Sequence, residues 1–148
     1  MNLKDFIRSI QDYPKKGILF RDITTLIKDK DAFAEAINQI VERSKNYDFD
    51  KIAAIESRGF VFASAVSYIL KKPFIMLRKK NKLPADVHSV DFQLEYGTAT
   101  IEVHKDSLNK NDNVLIIDDL IATGGTAEAA AKLVEFSSSK VSAFIFVI

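Results

Sequence analysis

Cysteine is absent from all 148 residues, which removes disulfides, a thiolate nucleophile and cysteine-held zinc. Excess charge of either sign is also missing. Lys and Arg total 21 and Asp and Glu 20, a net charge of +1 that gives no general pull toward nucleic acid or an acidic membrane. Histidine occurs twice, and His88 and His104 stand apart without ligand spacing, so both are read as structural and no metal is assigned to the protein itself. The longest uncharged run, 59–70, falls short of the roughly 18 residues that a membrane span needs. The start, Met1-Asn2-Leu3-Lys4-Asp5, carries charge where a signal peptide is apolar. Linkers, low-complexity tracts and repeats are lacking too. The expectation is one cytoplasmic domain spanning 1–148, with neither nucleic acid nor membrane as partner.

What is present suits a globular core: 47% hydrophobic and 28% charged residues. Leu3, Phe6, Ile7 and Ile10 share a helical face, predicting a short amphipathic helix over 2–10. The same spacing in Phe33, Ile37, Ile40 and Val41 predicts a second helix over 31–46, with Asp31 suited to its N-terminus. Residues 51–55 read as an apolar strand, 60–70 as a buried helix and 74–77 as a second strand. Residues 78–92 show no usable periodicity and read as a long loop, by its length a candidate lid. Alternation over 98–103 predicts a half-buried strand with Ala99, Ile101 and Val103 on one face and Thr98, Thr100 and Glu102 on the other. Residues 114–117 suit a parallel strand buried on both faces, 126–136 an alanine-rich helix and 141–148 a last strand. Strand–helix–strand order occurs twice, so the fold class is α/β with a mainly parallel sheet flanked by helices.

The chemistry concentrates after the 114–117 strand. Two carboxylates, Asp118 and Asp119, end it, and Ala122, Thr123, Gly124, Gly125 and Thr126 then open a helix. A helix start offers unpaired N–H groups and the positive end of the dipole to a phosphate. Glycines let the backbone approach an anion closely. The carboxylates would repel a phosphate, so a ribose diol that donates to them is their natural partner. A helix-capping turn with a solvated acidic pair is the plainer alternative. The Gly-Lys-Ser/Thr ending of a Walker loop is lacking, and Lys132 lies too far along the helix to stand in.

This stretch resembles the 5-phosphoribosyl-1-pyrophosphate (PRPP) signature of type I phosphoribosyltransferases. Four further segments resemble the family's adenine-specific branch, in its order: Gly17 to Ile23, Glu56-Ser57-Arg58-Gly59-Phe60, Leu77-Arg78-Lys79 with Lys82-Leu83-Pro84, and Leu94-Glu95-Tyr96-Gly97. The resemblance implies a type I phosphoribosyltransferase fold with a hood and base-binding segment over 1–30 and a mobile lid over 78–95. The implied reaction is purine salvage, in which adenine and PRPP give AMP and pyrophosphate, with Mg2+ carried by the diphosphate, in a homodimer. The implied roles place PRPP and AMP on Asp118, Asp119, Ala122, Thr123, Gly124, Gly125 and Thr126. Pyrophosphate falls to Arg58, Arg78, Lys79 and Lys82, and the base to Leu19, Phe20 and Arg21. Glu95 moves the proton of the base, and Arg58 joins it as catalytic through the departing charge. A cis peptide between Glu56 and Ser57 is implied as well.

Without the resemblance, Phe20 reads as core, Arg21 as a partner of Asp22, the lysines as solvated and Glu95 as a loop carboxylate. A transferase for another purine and a non-catalytic PRPP-sensing module stay open as alternatives. Family members continue beyond the position of Ile148. The expectation is therefore near-normal PRPP binding with a weakened hold on the base.

Overall fold

The computed structural model describes residues 1–94, 97–121 and 124–148. The chain divides into two compact units, Met1–Arg43 and Ser44–Ile148.

In the first unit the helix expected over 2–10 does not form. A 3-10 turn occupies Leu3–Phe6, and the chain then becomes β1 (Arg8–Gln11), antiparallel to β2 (Leu19–Asp22). A nine-residue helix is marginal in water, whereas β2 supplies a partner for the β1 backbone. Asp12, at φ 56°, takes the N–H of Gly17 at 2.7 Å and so closes the connection between the two strands. The short α1 (Thr24–Ile27) and the amphipathic α2 (Lys30–Ser44) follow. The expected α2 is borne out, with Ile37 and Ile40 buried and Asp31 in its first turn.

The second unit is built on a six-stranded sheet of order β5-β6-β4-β3-β7-β8. Its strands are β3 (Lys51–Ile55), β4 (Phe74–Lys79), β5 (Val87–Leu94), β6 (Gly97–His104), β7 (Asn113–Asp118) and β8 (Lys140–Phe146). The pairs β3–β4, β3–β7 and β7–β8 are parallel; β4–β6 and β5–β6 are antiparallel. β3 and β7 are short runs of Ile, Ala, Val and Leu because both of their faces are covered. On one face Ala53, Val114 and Ile116 pack with Leu133 and Val134 of α4 (Gly125–Phe136). α3 (Arg58–Leu70) covers the other, with Phe62, Ala63 and Val66 buried. This is the α/β architecture expected.

Three further expectations need correction. Residues 78–92 are not a loop, since β4 runs to Lys79 and β5 begins at Val87, leaving only 80–86 between strands. In β5, Val90, Phe92 and Leu94 alternate with Ser89, Asp91 and Gln93, a short period-two pattern that the reading as a loop passed over, and the ladder to β6 holds the segment, with Thr100 donating to Asp91 at 2.6 Å. The polar face of β6 is not all solvated, because Glu102 is 6% exposed. Nor is α3 buried on most sides: Tyr68 is 85% exposed and Val61 and Ile69 also reach solvent.

Candidate active site

The C-terminal ends of β3 and β7 lie side by side at the centre of the sheet, and each runs into a helix. α3 begins at Ser57-Arg58 and α4 at Gly124-Gly125, and neither is capped by a side chain of its N-cap residue. Two positive helix ends thus border one cleft of about 500 Å³, lined among others by Ser57, Arg58, Asp118, Asp119, Gly124 and Thr126. Ligands of open α/β sheets bind at such strand ends.

Local sequence explains the approach of the two elements. A Cβ on Gly59 would lie 2.9 Å from Asp118 Oδ1 and 3.3 Å from the Ile117 carbonyl, so only glycine lets α3 start against the end of β7. Gly124 sits at φ 86°, where a side chain is strained, and its carbonyl accepts the Glu128 N–H at 3.0 Å as α4 begins. The Glu56–Ser57 peptide is cis, as the resemblance implied. The backbone after β7 is held by the chain beyond β8. Val147 N–H donates to the Asp118 carbonyl at 3.2 Å, Ile148 N–H to that of Asp119 at 2.9 Å, and Ile121 N–H to that of Ile148 at 3.2 Å.

The carboxylates are not equivalent. Asp119 is buried and takes the Arg58 guanidinium at 2.8 Å. Asp118 accepts the Asp119 N–H at 2.8 Å, and burial first, then its contact with the Asp119 carboxylate, push its pKa up to about 7. Near neutral pH the pair therefore carries less than two full charges, and Arg58 offsets part of the remainder. An anion can enter a cleft that two free carboxylates would have closed to it.

Lys79 also lines the cleft. Arg78 instead turns its Nε to Glu56 at 3.2 Å, while the same Glu56 oxygen takes the Lys79 N–H at 2.6 Å. Lys82 is exposed on the 80–86 connection. Ala122, Thr123 and Glu95 lie outside the described residues. In the first unit Leu19, Phe20 and Arg21 sit on β2. Phe20 meets Tyr13 edge to face with centroids 5.1 Å apart. Arg21 donates to Ser9 at 2.5 Å rather than pairing with Asp22, whose partners are Arg8 and Thr24. The Thr24 hydroxyl, then Arg8, hold the Asp22 carboxyl at a pKa of about 2.

Sequence reasoning passed over Glu56, Gly59 and Glu102 as separate residues. The first two stood in a quoted motif without roles, because only the fold shows what they touch. His104 accepts the Ala85 N–H at 3.2 Å, in keeping with the structural role read for it.

A phosphoribosyl transferase domain model matches residues 23–147. The chain is 84% identical over its full length to the adenine phosphoribosyltransferase of Pelagibacter ubique (strain HTCC1062), spanning 85% of that protein. The crystal structure of adenine phosphoribosyltransferase from Thermoanaerobacter pseudethanolicus superposes with a TM-score of 0.94 at 46% identity, over 97% of this chain and 84% of that one. The Saccharomyces cerevisiae enzyme, crystallised with adenine and an imino-altritol bisphosphate, gives 0.91 at 33% identity, over 98% and 85%.

Proposed function

The chain belongs to the phosphoribosyltransferase family, and from that premise we propose that it is the adenine-using kind. It transfers the 5-phosphoribosyl group of PRPP to adenine, giving AMP and pyrophosphate, a pentosyl transfer of purine salvage. The observation that carries the transfer is the cleft where two helix starts, Arg58 and the Asp118–Asp119 pair converge. The choice of base rests on the full-length likeness to adenine phosphoribosyltransferases.

In the reaction the bond from C1′ to pyrophosphate breaks, a bond from C1′ to a ring nitrogen of adenine forms, and that nitrogen gives up its proton. The start of α4, with Gly124, Gly125 and Thr126 and by resemblance Ala122 and Thr123, binds the 5′-phosphate through N–H groups and hydroxyls. Asp118 and Asp119 take the ribose hydroxyls. Arg58 and Lys79, with Lys82 and by resemblance Arg78, stabilise the charge on the departing pyrophosphate. Mg2+ arrives as part of the substrate, bound to diphosphate oxygens. Leu19, Phe20 and Arg21 receive the base, and Glu95 exchanges its proton. The lid role that the resemblance implies for 78–95 falls on the end of β4, the 80–86 connection and β5, with Glu95 outside the described residues. We take 1–148 as one cytoplasmic phosphoribosyltransferase domain acting as a homodimer. Among the described residues no helix is long and apolar enough to cross a membrane.

The decisive test is AMP formation from adenine and PRPP with Mg2+, with guanine, hypoxanthine and xanthine as competing bases. Turnover with adenine at least about 100-fold above the other bases is expected, a floor beneath the roughly 10⁴-fold by which a site built to hydrogen-bond one partner rejects its analogues. PRPP binding without turnover of any base would sink the enzymatic reading.

A further inference from the structure

Glu102 lies on β6 in register with Arg78 of β4. Its place in the alternation predicts a solvated carboxylate, yet it is 6% exposed. Burying a carboxylate is costly unless hydrogen bonds replace its water. Both oxygens of Glu102 are engaged: Oε1 accepts the backbone N–H of Asn81 at 2.9 Å, and Oε2 accepts the Ser89 hydroxyl. The Ser89 and Asn81 bonds, and the charge of Lys80, hold its carboxyl below the usual range, so it is ionised at neutral pH. Ser89 is already fixed by its ladder position opposite Glu102. Asn81 lies outside the strands, in a left-handed conformation at φ 66° within the turn closed by Lys82 N–H and the Lys79 carbonyl.

We infer that Glu102 is a positioning residue for the basic turn 79–82. Two carboxylates fasten that turn, Glu56 at the N–H of Lys79 and Glu102 at the N–H of Asn81. Lys79, Lys80 and Lys82 project from it, all exposed. Three like charges in one short turn repel and would spread it in solution; a buried carboxylate bonded to its backbone opposes that spread. The lysines are thereby held ready before a polyanion arrives, which lowers the ordering cost of binding. The inference rests on the reading of Lys79 and Lys82 as pyrophosphate ligands.

The test measures binding of magnesium pyrophosphate and of AMP by calorimetry, with thermal melts. The proteins are the unaltered chain, Glu102→Ala, Glu102→Gln, Glu102→Asp and a Lys79→Ala/Lys82→Ala double variant. Glu102→Ala should weaken pyrophosphate binding about tenfold, a loss of about 1.4 kcal/mol, and leave AMP binding within about twofold. Glu102→Gln should recover most of it, because its amide oxygen still accepts from Asn81. Glu102→Asp keeps the charge but withdraws the acceptor, so it should weaken pyrophosphate as the alanine does, and it decides the matter if the alanine variant fails to fold. Unaltered pyrophosphate binding in a folded Glu102→Ala or Glu102→Asp overturns the inference, as does equal weakening of both ligands. If the double lysine variant binds pyrophosphate normally, the basic-turn reading itself has failed. If only that variant is impaired, the positioning role alone is refuted.

Discussion

Asp118, proposed as an acceptor for sugar hydroxyls, is also packed beside a second carboxylate. The conflict shows in its pKa of about 7, raised first by burial and then by Asp119. The folded protein therefore holds a proton there that the unfolded chain releases near its ordinary value of 3.8. Between those values the folded state binds more protons, so stability falls as pH rises through the window, and the full penalty applies above about 7. Asp118→Asn removes the titration. Its melting temperature should exceed that of the parent at pH 8 by at least about 2–4 °C, the shift that about 1 kcal/mol produces at this size. The gain should vanish near pH 4, and an equal gain at both pH values would refute the assignment. The same variant should bind PRPP more weakly. Gly59 governs the same carboxylate from outside. A methyl there meets Asp118 Oδ1 at 2.9 Å, and the nearby Ile117 carbonyl cannot yield. Gly59→Ala should cost about 1–3 kcal/mol of stability and reduce PRPP affinity, read by denaturation and calorimetry.

At the scale of elements, the phosphate site proposed at the start of α4 depends on how that helix begins. Gly124 holds a left-handed conformation, and a Cβ added to it would meet nothing within 4 Å, so an alanine there is penalised by conformation and not by collision. Gly124→Ala should destabilise by about 1–2 kcal/mol and Gly124→Asn by less, since asparagine tolerates that region. Urea denaturation distinguishes the two, and equal losses would point to crowding instead. Elements with a long uniform pattern, α2, β7 and α4, were legible because one face or both meet a core. The segment 2–10 was not, because its helical spacing is short and its fate depends on β2, which lies beyond a turn. In residues 87–94 the alternation of Val90, Phe92 and Leu94 with Ser89, Asp91 and Gln93 is short and follows the charged stretch 78–86, so it was passed over inside a longer loop, and its partner, β6, comes only after it.

For the whole molecule, the surface of α3 bears on assembly. Tyr68 is 85% exposed, with Val61 and Ile69 on the same helix and Met76 on β4 also open to solvent. Exposed large apolar side chains such as Val61, Tyr68 and Ile69 of one helix suit a protein interface. The chain should elute as a dimer in light-scattering chromatography, and Tyr68→Glu should shift it toward monomer without lowering secondary-structure content. A monomer at tens of micromolar would refute the homodimer reading. The family match extends from residue 23 to 147 and so crosses both compact units, which supports treating them as parts of one functional domain.

Sequence alone determined the α/β class, the apolar parallel strands and the run of two carboxylates and glycines that leads from β7 into α4, because these depend on neighbours in the chain. Apolar runs, paired carboxylates and glycines all act within one strand–turn–helix. Tertiary structure decided the rest. Pairing of Asp119 with Arg58 joins residues from two different strand ends, and burial of Glu102 requires Asn81 and Ser89 to converge from two other segments. The raised pKa of Asp118 likewise arises first from desolvation, which no residue carries by itself. Such properties belong to distances between segments far apart in sequence, and only the packed sheet brings those segments together.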